Sequence, residues 1–407
     1  MRYTGTLARG IRLPIINNGD PLAEIVADYI ANAAKAENFT IGNKDVVGIT
    51  EAIVAKAQGN YASFDQLGSD VRSKFPTGSV GVVFPILSRN RFVNILKGIV
   101  RAMDEVYVLL SYPNDEQGNP IVDVRRIDEI NDKLKLLPPG PIAADKFREV
   151  SGDFLHPFTG IDYIDLYEST GAKVYFSADP RDILQLTPHV IAADVHTREL
   201  TKERLSKAGA KTVFALSDIL NKPSQGSGYN PDYGVLGSNI ASDESLKLFP
   251  RNCNEFVLEV QKQIEARTGI APEVMIYGDG AIKDPVCGIW ELADPVVSPG
   301  FTPGLKGQPS EIKMKMIADT QLQGLQGEEQ ERAIRDIIRQ KDEEGKEGKL
   351  SADDQLGTTP RRYVDLLGSL CDLMSGSGDK GTPVVLIQGY FDNYADGVKD
   401  QLWIAAS

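Results

Sequence analysis

Cysteine is scarce in this chain: Cys253, Cys287 and Cys371 are the only three in 407 residues, and no CxxC pair occurs. That excludes a disulfide framework and a thiolate zinc site, and it fits a reducing cytoplasm. Histidine is equally rare (His156, His189, His196), and there is no HExxH. No apolar run approaches the roughly 18–20 residues of a membrane span. The opening stretch, MRYTGTLARGIRLPII, has neither a long apolar core nor a small-residue cleavage site. It reads as lacking a secretory signal, so the expected location is the cytoplasm. Positive charge is outnumbered, 44 Lys and Arg against 57 Asp and Glu, for a net charge of −13. A duplex nucleic-acid binder needs a basic footprint, and the total shows none. Also missing are a GxxxxGK[ST] loop, a GxGxxG after a strand and a GxSxG elbow.

What remains is an ordinary globular composition, 42% hydrophobic and 25% charged, long enough for two or three domains. Residues 19–37 read as a helix that Asp20 can cap and Pro21 can start, with Leu22, Ile25, Val26, Tyr29 and Ile30 on one face. The stretch 45–60 begins as an apolar strand and turns helical near Glu51. Residues 80–87 and 105–112 are apolar enough for buried strands around a helix, a β-helix-β pattern that points to a mixed sheet. Further strands are expected at 172–178, 188–194, 272–278 and 382–390. A Pro/Gly/Ser/Asn-rich loop spans 222–234. Residues 254–269 form a strong helical pattern that Gly269 is placed to stop. A highly charged, exposed helix is expected over 326–348, and an amphipathic one over 363–374.

Candidate chemistry lies in carboxylates beside polar turns. Asp243 stands in GSNIASDESLKLFP, in a turn before a helix, and Asp279 stands between two glycines at the end of an apolar strand. Acids at strand ends suit hard cations and phosphate chemistry, and an Asp-Gly pair equally suits a tight turn. Arg89 and Arg91 in SRNR either clamp an anion or begin a solvated helix. His189 and His196 are seven apart, a spacing that serves structure more often than metal. The stretch SGSGDKGTPVVLIQGY, 375–390, runs helix, loop, strand, opposite to a Walker loop, and reads as a phosphate cradle or a linker.

Four stretches, taken in order, resemble the coenzyme F-420-0:L-glutamate ligases. They are RGIRLPIINNGDPLAEIV, DVVGITEAIVAKAQGN, GSNIASDESLKLFP with its helix and MIYGDGAIKDP, and LLGSLCDLMSGSGDKGTPVVLIQGY. The resemblance implies an α+β fold of mixed sheets with flanking helices. It implies a ligase core from 1–60, 237–300 and 350–407, an elaboration over 61–236, and a charged helical excursion over 301–349. By resemblance, Leu13, Pro14, Ile15, Ile16, Lys56 and Asn239 contact the nucleotide. So does the loop Gly376, Ser377, Gly378, Asp379, Lys380, Gly381, Thr382 and Pro383. Asp243 and Asp279 match the metal-binding aspartates. The implied activity uses GTP, or ATP, and Mg²⁺ or Mn²⁺ to join L-glutamate to a small-molecule acid through an acyl phosphate. A homodimer is implied, with no nucleic-acid or membrane partner, and no catalytic residue is singled out. The rival readings are a non-catalytic nucleotide- or metal-binding protein of the same fold, and a phosphotransferase.

Overall fold

The computed structural model describes residues 5–75, 78–157, 159–278, 297–308, 314–346, 362–375, 380–392 and 395. In chain order the strands are β1 (Leu7–Ile11), β2 (Val46–Thr50), β3 (Tyr61–Ser63), β4 (Ser79–Val83), β5 (Glu105–Ser111), β6 (Ile142–Ala143) and β7 (Lys173–Ser177). They continue with β8 (His189–Ala192), β9 (Thr212–Ala215), β10 (Asn239–Ser242), β11 (Ser245–Lys247), β12 (Glu273–Tyr277), β13 (Gly300–Phe301) and β14 (Val384–Gln388). The helices are α1 (Leu22–Ala36), α2 (Glu51–Ala57), α3 (Phe64–Lys74), α4 (Phe92–Ala102), α5 (Ile127–Leu134) and α6 (Ala144–Ser151). After them come α7 (Tyr163–Glu168), α8 (Arg198–Lys207), α9 (Cys253–Thr268), α10 (Met314–Thr320), α11 (Gly327–Lys346) and α12 (Tyr363–Ser375). The fold is α+β, with mixed sheets and flanking helices.

A five-stranded sheet has the order β1-β14-β2-β12-β13, in which β2 and β12 run parallel and the other pairs antiparallel. Side chains alternate across it, as the pleat requires. Val47, Ile49, Val274, Ile276, Val384 and Leu386 pack with α1 and α9, while Val46, Met275, Tyr277, Val385 and Ile387 pack with α12. Each fully buried aliphatic side chain of this kind contributes roughly 1.5–3 kcal/mol. Gly48 lets α12 come close, since a Cβ there would stand 2.3 Å from Cys371 Sγ.

The second sheet, β6-β7-β5-β4-β8-β9, is parallel apart from the edge strand β6. Both faces are covered: Val82, Val108, Leu110, Val174 and Phe176 lie in one cluster, Val83, Leu109 and Val190 in another. Two covered faces explain why these strands read as continuous apolar runs. A small third sheet, β10-β11-β3, lies between the other two in sequence. Fully buried Asn60 anchors it. Its Nδ2 donates to the carbonyls of Tyr229 and Phe249, and its Oδ1 accepts from the Tyr229 amide and from Arg251.

Local signals mostly act as their chemistry predicts, with three differences. Gly269 ends α9 in the left-handed region, φ 73°, donating to Glu265 O. Asp20, by contrast, does not cap α1; its Oδ2 accepts the Asn17 amide at 2.6 Å, within its own turn. The strand in the apolar run 80–87 ends at Val83: Phe84 adopts φ 54°, its amide makes a last bond to Leu109 O at 2.9 Å, and the chain then leaves the sheet. Asp243 lies not just before a helix but at the turn of the β10–β11 hairpin, where Leu246 supplies the one buried side chain of β11. α11 covers the charged stretch and buries Ile338 of its isoleucine stripe.

Candidate active site

The candidate site is the edge of the five-stranded sheet where β2 and β12 end and β14 begins. Parallel pairing sets Tyr277 beside Thr50, and antiparallel pairing sets Val384 beside Ile49 and Ile11. Segments leaving β1, β2 and β12 and the segment entering β14 therefore meet at one edge. The Thr50 amide donates to Pro383 O at 3.0 Å, and the Leu13 amide donates to Gly381 O at 3.2 Å. Three widely separated sequence regions, Leu13–Ile16, Thr50–Lys56 and Gly381–Pro383, are thus brought together.

Within this edge Ile16 is buried while Ile15 is 82% exposed, so the LPII segment presents one side chain inward and one outward. Pro14, just before Ile15, is exposed, and Lys56 is half-buried in the last turn of α2. Lys380 and Gly381 are exposed, and Gly381 has φ 64°, a conformation that favours glycine. Gly10 is needed here for packing: a Cβ on it would lie 2.9 Å from the Thr382 methyl. Gly376, Ser377, Gly378 and Asp379 lie outside the described residues, as does Asp279, which follows Gly278 just beyond β12.

The hairpin reaches the same edge through a charge pair that sequence reading missed. Lys247 Nζ lies 2.7 Å from Glu51 Oε1, with side-chain exposures of 12% and 9%. Lys247 stands directly across from Asn239 in the β10–β11 ladder, so Asn239 joins the site by register. Its Oδ1 accepts the Ile240 amide, and Asp243 at the turn is exposed. Glu51 opens α2, where a carboxylate complements the helix dipole, and that ordinary role hid it. The available signal was an acid placed directly behind the apolar run VVGIT.

Electrostatics mark this edge as polar and partly unsatisfied. Glu51 Oε2 and Thr382 Oγ1 are buried without hydrogen-bond partners. Buried polar atoms are nearly always paired, so two orphans at one edge suit a polar ligand. The Tyr61 hydroxyl is held above its usual range by burial and then by the Glu51 carboxylate. Burial, with Glu51 nearby, pushes the Cys253 thiol up to about 12, so it packs rather than reacts. Cys371, on the buried face of α12, is raised further by burial. Among the described residues, no group of three or more His, Cys, Asp or Glu side chains gathers to hold a metal ion. The SRNR loop does touch the hairpin, Asn90 O accepting the Ile240 amide at 3.1 Å.

A sequence profile described as F420-0:Gamma-glutamyl ligase matches residues 10–389. The chain belongs to this ligase family. Its name describes joining a γ-glutamyl group, a carbon–nitrogen ligation in which glutamate is the amino acid. A comparison with curated proteins returns no match. Among the described residues, no helix of this family member is long and apolar enough to cross a membrane.

Proposed function

We propose that the chain is an NTP-dependent γ-glutamyl ligase that activates a small-molecule acid as its acyl phosphate and joins it to L-glutamate. A carboxylate acylates poorly until phosphorylation gives it a good leaving group, after which an amine attacks to form the amide. The observation that carries the reading is the convergence of Leu13, Thr50 and Gly381–Pro383 on one sheet edge, in a chain whose family match spans 10–389.

In this reading the backbone of the loop ending at Pro383 cradles phosphate, and Lys56 supplies positive charge. Amides in a glycine-rich turn bind phosphate without net positive charge, so the total of −13 is no obstacle. Lys247, already paired with Glu51, places an ammonium where phosphate charge is brought in. Asp243, with Asp279, would hold Mg²⁺ or Mn²⁺, which neutralises charge on phosphate oxygens when bound. GTP is the favoured nucleotide by family, the working unit is a homodimer in the cytoplasm, and residues 61–236 elaborate a core built from the flanking segments.

The test is phosphate release from GTP or ATP with Mg²⁺, using a panel of small carboxylic acids. Release should rise only when an acid and L-glutamate are supplied together. Thermal stabilisation by nucleotide and Mg²⁺ should disappear in Asp279→Asn while the fold persists. A wild-type melting temperature indifferent to nucleotide, or an Asp279→Asn protein stabilised as well as wild type, refutes the reading.

A further inference from the structure

The six-stranded sheet has a reversal point of its own. From β4 the chain steps outward to β5 and β7, then returns to place β8 and β9 on the other side of β4. In open parallel sheets, loops leaving the carboxyl ends of strands at such a reversal diverge, and ligands bind in the crevice between them. Here those ends are Val83 and Ala192. The loop after β5 crosses to the same place, and Glu116 Oε1 accepts the amides of Val195 and His196 at 2.8 and 3.4 Å. None of these residues belongs to the edge described above.

The groups at this reversal are unevenly satisfied. Asp194 is 1% exposed, and its Oδ2 accepts the hydroxyls of Thr197 and Thr201 at 2.6 and 3.2 Å. Its Oδ1 is buried without a partner, as is Glu116 Oε2. Arg198 donates from Nη1 to Val195 O, while its Nε is buried without an acceptor. The three groups influence one another: Asp194 acts on Glu116, and Arg198 acts on Asp194. Burial first, then Asp194 and Asp115, lift the Glu116 carboxyl to about 7, the mark of acids short of positive charge. The described residues gather no metal-binding group, and a water would satisfy hydrogen bonds without bringing charge.

Two unpaired carboxylate oxygens beside one unpaired guanidinium N–H complement an ammonium with a carboxylate close by. We propose that the crevice between β4 and β8 binds a small α-amino acid, its ammonium on Asp194 Oδ1 and Glu116 Oε2 and its carboxylate on Arg198 Nε. The site stands on its own residues and does not depend on the ligase reading.

Calorimetric titration of the full chain, without nucleotide or metal, tests this with glycine, L-alanine and L-glutamate as probes. Acetate, propionate and glutarate are the matched acids lacking the ammonium. At least one amino acid should bind at least tenfold more tightly than its matched acid, and Asp194→Asn should weaken that binding at least tenfold. Arg198→Gln serves as the second variant if Asp194→Asn does not fold. Absence of binding, equal binding of the matched acids, or unchanged binding in a folded variant overturns the proposal and leaves an ordered water as the occupant. Failure of the ligase reading would instead appear as missing nucleotide stabilisation, with amino-acid binding intact.

Discussion

Replacing Lys247 by Met keeps the aliphatic stem but strands the Glu51 carboxylate among buried groups. At 2.7 Å, with an effective dielectric of about 20, the pair's Coulomb attraction is about 6 kcal/mol before desolvation. Desolvation offsets much of that in the intact pair, but removing one partner leaves the other's penalty exposed. The expected loss is about 3–5 kcal/mol. Native-state amide exchange at β2 and β11 reads this locally, without assuming that the whole chain unfolds as one unit. Glu51→Gln combined with Lys247→Met should recover all but about 1 kcal/mol, because no charge is left behind. A single-variant deficit below about 1 kcal/mol would show the pair to be solvated and refute the reasoning.

Gly48→Ala sets a Cβ 2.3 Å from Cys371 Sγ and 3.4 Å from Tyr277 Cδ1, and should destabilise by about 1–3 kcal/mol through overpacking. Melting temperatures should show Cys371→Ala largely suppressing the effect of the added methyl; additive losses would mean that α12 shifts instead. Glu116 works in the opposite pH sense from an ion-paired acid. Its carboxyl is raised from 4.5 to about 7 by burial, so its favourable contribution is present below about pH 4.5 and is lost as pH rises through about 7. At most about 3 kcal/mol is involved. Exchange of the β4 and β8 amides should follow that curve in wild type and flatten in Glu116→Gln.

Sequence reading found most elements where local chemistry is decisive. The apolar runs of β4, β5 and β14 and the spacing of Val257, Val260 and Ile264 in α9 announce themselves. Conflicts between local signals were harder to resolve. Asp20 looks like a cap but prefers the Asn17 amide, and Phe84 ends a strand through a backbone angle that its side chain does not advertise. The β10–β11 hairpin was hidden because its strands are short and mostly exposed, leaving only Leu246 to signal a buried face. At the candidate site, the family resemblance pointed to Leu13, Lys56 and Gly381, of which Leu13 and Gly381 meet through a backbone hydrogen bond. The Glu51–Lys247 pair joins residues 196 positions apart, and nothing in either neighbourhood names the other. Strand order is likewise non-local, so the reversal at β4 that creates the crevice had no local signature.

The five-stranded sheet also imposes an order of events on the growing chain. Among the described residues, β1 pairs only with β14, and β14 sits between β1 and β2. Two strands made within the first fifty residues must therefore wait for Val384–Gln388 before they can join. The strands of the six-stranded sheet are complete by Ala215. At roughly 5–20 residues per second of synthesis, it has many seconds to close first, while β1 and β2 remain open edges in need of protection. A ribosome-stalled chain ending near residue 260 should show protected β4 and β8 amides and unprotected β2. Any truncation before β14 then yields a folded fragment carrying an exposed, adhesive strand rather than a smaller ligase.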